Sequence, residues 1–429
     1  MSTPSKTSPS TPEPPAGYWE LVRGNVHFRR LWIAEVVSLL GDWFNTIALY
    51  ELVARLTGSP AALGAVFIFK MLPLGLASPL AGLLVDRFDR RRVMLASDLV
   101  RAALVLGFLA IDEAGEVPLL YVLIALVTVV GSVFQPARSA SLPNVTSRRE
   151  LLTANALSAA TWSTMLAVGA ALGGFATEWF GTDAVFLIDS ATYLVSALFI
   201  LRTVIPQTTD RPEPGPIVAT AVANIVDGWR YLRRHPSSGR IAFTKAAWSL
   251  GGGGMVYMLT LLGSEVSPAA SATAIGILFA VRGVGTGVGP ILGRNLFLDA
   301  RAWPAVIGAN LLLSGAAYAL LSRLPFGWIV LVPILVAHAG SGANWVFANV
   351  LLQRRTEDRY RGRVFATEWL LLMIADTISI LAASLLLETG TLGLRGTFLA
   401  FAAVQVVCSA VWFATVVPAE RREGWVDAG

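Results

Sequence analysis

A single cysteine, Cys408, in 429 residues rules out an intrachain disulfide and a cysteine-built metal centre. Histidine is nearly as scarce. His27, His235 and His338 lie far apart, so no metal site is expected. Charged residues make up only 14% of the chain, against about 25% in ordinary soluble proteins. The sequence contains no GxxxxGK-S/T phosphate loop, no HExxH and no GxSxG. Neither enzyme activity nor a cofactor is expected, and ATP-driven work lacks its usual loop.

What is present is apolar. Hydrophobic residues account for 55% of the chain, more than one soluble core of this length could hide. They fall into runs of about 20 residues, the length that crosses a ~30 Å hydrocarbon layer at 1.5 Å per residue. Twelve spans are predicted, at 31–51, 62–84, 93–112, 118–138, 152–176, 184–204, 241–263, 271–292, 302–322, 326–350, 364–387 and 394–417. The fold class is therefore an all-α membrane protein of twelve transmembrane helices.

Polar segments divide the chain. Residues 1–18 are rich in Pro, Ser and Thr, lack the apolar stretch of a signal peptide, and are expected to form a disordered tail. The hydrophilic stretch 206–240 follows span 6. It is expected to link a six-helix bundle at 19–205 to a second at 241–418, with a short tail at 419–429. If the N-terminus is inside, 26 of the 33 Lys and Arg fall in the tails and loops of that side, four lie within spans, and the other side holds only Arg55, Arg323 and Arg395. This asymmetry predicts that both termini are cytoplasmic in a plasma membrane. The positive charges then border a bilayer, and nucleic acid is not an expected partner.

Two linked halves of six spans suggest a transporter built from repeats, with its substrate site near the midplane. The loop after span 2, GLLVDRFDRRR (82–92), packs six charges between two apolar runs. An aspartate leads the arginines, which simple anchoring does not require. It resembles the loop signature of the major facilitator superfamily through Gly82, Asp86, Arg87, Arg90 and Arg91, with Asp89 where many members carry glycine. The resemblance implies a latch that joins the halves on the cytoplasmic side, Asp86 meeting the positive end of a neighbouring helix. GPILGRNLF (289–297) is a weaker second copy of this loop, without the acid.

Three further stretches, FRRLWIAEVVSLLGDWF (28–44), FQPARSASLPNVTSRRELLTANAL (134–157) and LLQRRTEDRYRGRVFA (351–366), are similar to the macrolide-efflux and enterobactin-exporter-like branch of that superfamily. The resemblance implies two pseudo-symmetric six-helix bundles, a bacterial source, and proton-coupled efflux of amphipathic drugs or secondary metabolites by alternating access. A siderophore exporter or lysophospholipid transporter of the same fold is the alternative, and a non-transporting receptor or enzyme a remote one. The expected partners are a small amphipathic substrate, protons and the lipid bilayer, with the protein a monomer. Two features depart from the pattern. The antiporter signature of span 5 reads GAALGG (169–174), with Ala170 in place of proline. Thr128, three residues before Gly131, stands where an arginine is usual.

A charge at mid-helix costs about 2.5–3.5 kcal/mol even on the lenient insertion scale, so each one implies a partner, a wet cavity or a role. Six such residues are the proton-coupling candidates: Glu35, Asp42, Lys70, Arg282, Glu368 and Asp376. Glu35 and Asp42, seven apart, share a helix face. Asp42, Lys70 and Arg282 all come out about 15–21 Å deep by helical rise. Asp42 is expected to be the principal switch, with Lys70 as its cation, and a permanent structural pair of the two stays open. Arg282 could balance Asp376 or attract an anionic substrate. Asp98 is expected to pair with Arg101, and Lys245 to snorkel to the surface. The resemblance places spans 1, 4, 7 and 10 around the cavity. Trp43, Phe134, Trp248, Tyr257, Met258, His338, Asn344 and Trp345 are the candidate lining residues. The glycine clusters Gly251–Gly254 and Gly340–Gly342 suit cavity helices that bend, unwind or pack closely.

Overall fold

A computed structural model describes residues 15–207 and 216–423. Each predicted span falls on helix. Span 1 is Val26–Thr57, span 2 Pro60–Arg87, and span 3 Arg90–Leu106 with a following 3-10 turn, Gly107–Ala110. Span 4 runs through Val117–Gly131 and Phe134–Val145. One 54-residue helix, Arg148–Leu201, covers spans 5 and 6 and is broken at Gly181, whose φ of 82° only glycine adopts easily. Spans 7 to 12 are Thr244–Val266, Ser271–Leu296, Trp303–Arg323, Leu331–Arg355, Asp358–Glu388 and Leu394–Glu423. Among the described residues ten helices are long and apolar enough to cross a membrane; Thr244–Val266, with its glycines and Lys245, is not one of them.

Local chemistry sets the boundaries. Asn25 caps span 1 by accepting from the Phe28 N–H at 2.9 Å, and Gly58 closes it in the left-handed region. Ser59 caps span 2 just before Pro60. Asp89, the departure from the family loop, caps span 3 by accepting from the Arg92 N–H at 2.8 Å.

Both described ends of the chain lie with the 82–92 loop and the linker helices at one face, called here the terminal face. The expectation of a loose tail fails for residues 15–18. The Ala16 N–H donates to the Arg149 carbonyl at 3.1 Å, its own carbonyl accepts from Thr153 at 2.6 Å, and Tyr18 opens the helix Tyr18–Gly24. Residues 1–14 fall outside the described part. The expected C-terminal tail is also helical as far as Glu423, because Glu420 pairs with Arg240 at 3.0 Å and Arg355 at 2.6 Å; residues 424–429 fall outside the described part. In the linker, Ile217–Arg234 forms a helix seated on span 11 at Gly228, where a Cβ would come 2.3 Å from the Arg363 carbonyl.

At the opposite face the two halves meet closely. Gly174 of span 5 crosses Gly276 of span 8 so tightly that a Cβ on either would lie 2.5 Å from a backbone carbonyl. Tyr257 donates to the Pro60 carbonyl at 2.7 Å, and Ser271 to Glu51 at 2.7 Å. Glu388 accepts from Ser59 at 2.7 Å and from the Ala61 N–H at 3.0 Å. Polar bonds thus seal this end.

Candidate functional site

Below that seal, two cavities are walled by both halves. The central one measures about 390 Å³. Span 1 contributes Leu39, Asp42, Trp43, Thr46, Leu49 and Tyr50, positions that recur every three or four residues and so share a helix face. Lys70, Arg101, Trp248, Arg282 and Asp376 complete its chemistry. The second cavity, of about 550 Å³, lies at the terminal face between Gly82 and Asp86 on one side and Lys245, Trp345 and Glu368 on the other.

Asp42 does not take Lys70 as its direct partner. Its carboxylate accepts a hydrogen bond from Tyr193 and stands 3.6 Å from the Arg101 guanidinium. Arg101 is paired at 2.5 Å with Asp98, as the spacing predicted, and Asp98 accepts from Ser196 at 2.6 Å. The Asp42 side chain is 39% exposed while that of Asp98 is fully buried, so one arginine joins a wet acid to a dry one. Lys70 instead donates to Thr46 at 2.5 Å, one helical turn along from Asp42. Arg101 also passes 4.2 Å from the Tyr193 ring and 5.1 Å from the Phe134 ring. Its Cδ would lie 3.2 Å from a Cβ at Gly131, so span 3 brings a cation to the wall where span 4 has Thr128.

Glu35 and Glu368 sort away from the centre. Glu35 shares a helix face with Asp42 but pairs at 2.5 Å with buried Arg138, off the cavity wall. Glu368 is buried against Lys245 at 3.0 Å, so Lys245 does not snorkel: it has a carboxylate, the Asn349 side chain at 2.7 Å and the Trp345 ring at 4.4 Å. Asp376 accepts from Ser249, while Arg282 stands 5.7 Å from the Phe279 ring, without the ion pair to Asp376 that depth alone allowed.

Of the aromatic and polar lining candidates, Trp43 and Trp248 reach the central cavity and Trp345 the terminal-face one. Five do not, and are corrected to packing positions. Phe134 lies under Arg101, and Met258 is wholly buried among helices. Tyr257 belongs to the seal. His338 bonds Tyr318 at 2.9 Å, and Asn344 bonds Asn310 at 2.9 Å. The central cavity takes residues from spans 1, 4 and 7 but none from span 10, and it draws others from spans 2, 8 and 11. The sequence reading missed Tyr193, Thr46, Tyr50 and Phe279; the three-to-four spacing from Asp42 would have found Thr46 and Tyr50.

Of the latch residues, Asp86 is exposed and Gly82 has open space around it. Arg90 donates to the Ala140 carbonyl at 2.7 Å, and Arg91 to the Ile200 carbonyl at 3.3 Å and to Leu201, gripping helix ends within its own half. The glycine clusters serve close packing. Gly253 abuts Asp376, Gly342 abuts the Thr286 backbone, and span 7 stays helical throughout. In GAALGG, Gly173 packs on the Phe44 backbone and Gly174 makes the crossing with span 8.

The sequence model of the Major Facilitator Superfamily matches residues 31–367. The chain belongs to that superfamily. This facilitator is 28% identical over 404 residues to the multidrug efflux pump Tap of Mycobacterium bovis, covering 91% of this chain and 93% of Tap. It is 29% identical over 220 residues to the uncharacterised transporter YfiS of Bacillus subtilis, of which the chain spans about half, 51%. In fold it is similar to a bacterial homologue of the human lysosomal transporter Spinster, solved inward-facing and unoccupied, with a TM-score of 0.70, 15% identity and coverage of 94% of this chain and 98% of that one. The facilitator is thus a multi-pass membrane transporter by family.

Proposed function

We propose that this facilitator is a proton-coupled exporter of amphipathic small molecules that works by alternating access in a plasma membrane, with the terminal face in the cytoplasm. The single observation that carries the reading is Asp42. It is an acid open to a cavity between the halves, tied through Arg101 to fully buried Asp98. The similarity to Tap supports efflux, and the Lys and Arg asymmetry supports the orientation.

In this reading substrate enters from the terminal face, past Trp345 and Glu368, and rests against Trp43 and Trp248. Protonation of Asp42 from the far side frees Arg101 for Asp98 alone, which alters the wall between spans 1 and 3. The halves then part at the Gly174–Gly276 crossing and close at the terminal face. There Asp86 and the 82–92 arginines latch onto the other half. A charge moving through 100 mV supplies about 2.3 kcal/mol, so one proton supports substantial accumulation.

The test is transport by purified protein in proteoliposomes under an imposed pH gradient, with Hoechst 33342, erythromycin and dansyl-glycine as probes. Gradient-dependent movement of at least one probe, abolished by Asp42→Asn, is expected. Movement that Asp42→Asn leaves intact, or none of any probe, refutes the reading.

A further inference from the structure

The central cavity carries two cations whose charge nothing in direct contact balances. Lys70, on span 2, makes one hydrogen bond, to the hydroxyl of Thr46. Arg282, on span 8, faces the same cavity from the other half; its Nε is buried with no hydrogen-bond partner, and its guanidinium stands 5.7 Å from the Phe279 ring. Among the described residues neither forms an ion pair. The acids on the same wall are engaged elsewhere, Asp42 by Tyr193 and Arg101, Asp376 by Ser249. Asp189, the remaining nearby carboxylate, is fully buried behind the wall and accepts from Asn45 at 2.6 Å. Cations held at this depth are expensive unless an anion or water meets them.

We propose that the cavity selects small amphipathic acids: an aromatic or aliphatic body against Trp43, Phe67 and Trp248, and one carboxylate held between Lys70 and Arg282. A monoanion suits the site because Asp42 and Asp376 share its walls and repel a second negative charge. One carboxylate binding a cation from each half also favours the conformation in which the halves draw together around it. This deepens the transporter reading above and rests on it for the location of the substrate.

The experiment uses the full-length protein in nanodiscs and three probes on one scaffold: dansyl-glycine, its neutral amide and a dansyl-ethylenediamine cation. Energy transfer from tryptophan reports binding. The acid is expected to bind at least about tenfold more tightly than either analogue. Lys70→Gln and Arg282→Gln should each reduce it to the level of the amide, whose own binding stays unchanged and shows that the site is intact. Equal binding of amide or amine, or an acid affinity indifferent to both substitutions, overturns the proposal. So does stronger competition by phenyl phosphate than by phenylacetate. Failure of gradient-driven transport with selective acid binding intact sinks the exporter reading alone. Transport of uncharged or cationic probes without selective acid binding sinks this one alone.

Discussion

Asp42 and Asp98 share one arginine, and their environments predict opposite consequences for the same chemical change. In Asp42→Asn the amide still accepts from Tyr193, while Arg101 keeps its 2.5 Å partner Asp98. The lost contact is 3.6 Å long and ends on a side chain 39% exposed, so the loss of stability should be about 1 kcal/mol. In Asp98→Asn, buried Arg101 keeps the 3.6 Å contact to Asp42 as its one remaining ion pair among the described residues, beside a 3.5 Å hydrogen bond to Ser38, and the cost should rise to about 3–5 kcal/mol. Thermal unfolding in detergent, followed by intrinsic fluorescence, compares the two. Asp98→Asn should lower the midpoint by at least about twice as much as Asp42→Asn, while Asp42→Asn alone should retain a native-like fold and lose gradient-driven transport. If Asp42→Asn unfolds the protein as readily as Asp98→Asn, Asp42 is a structural pair member, and the division into a working acid and a holding acid is wrong.

Three further outcomes follow from the geometry. Gly276→Val forces a side chain into the Ala170 carbonyl; it should pry open the opposite face, measured as faster thiol labelling of Ala272→Cys, a position buried at the crossing, in a Cys408→Ser background, and unchanged labelling would count against the seal. Lys245→Met strands buried Glu368 and should cost about 3–5 kcal/mol in unfolding experiments, most of it recovered when Glu368→Leu is added; a double variant no better than the single would contradict the pairing. At the terminal face, the Gly17 N–H and then Arg149 hold the Glu20 carboxyl below its usual 4.5. A carboxyl lowered in the folded chain adds stability that is present above its unfolded value and lost as pH falls through the lowered one. Hydrogen exchange over residues 17–24, corrected for intrinsic rate, should therefore accelerate between about pH 6 and about pH 3, and protection that is flat with pH would show that Glu20 does not hold this helix in place.

The sequence alone determined what a bilayer dictates. Apolar run length set the helices, because each span must satisfy its own backbone hydrogen bonds in hydrocarbon. The 82–92 loop pointed to the superfamily, and the three-residue spacing of Asp98 and Arg101 gave their pairing, because local order fixes such contacts. Only the tertiary structure decided which side each helix turns to its neighbours. Rotation about the helix axis is set by packing against other spans, and an all-round apolar helix carries little record of it. That is why Tyr257, Met258, His338 and Asn344, on cavity spans, point into packing. It is also why Asp42 meets Arg101 and Tyr193, more than fifty and a hundred and fifty residues away, and not the lysine that matched it in depth.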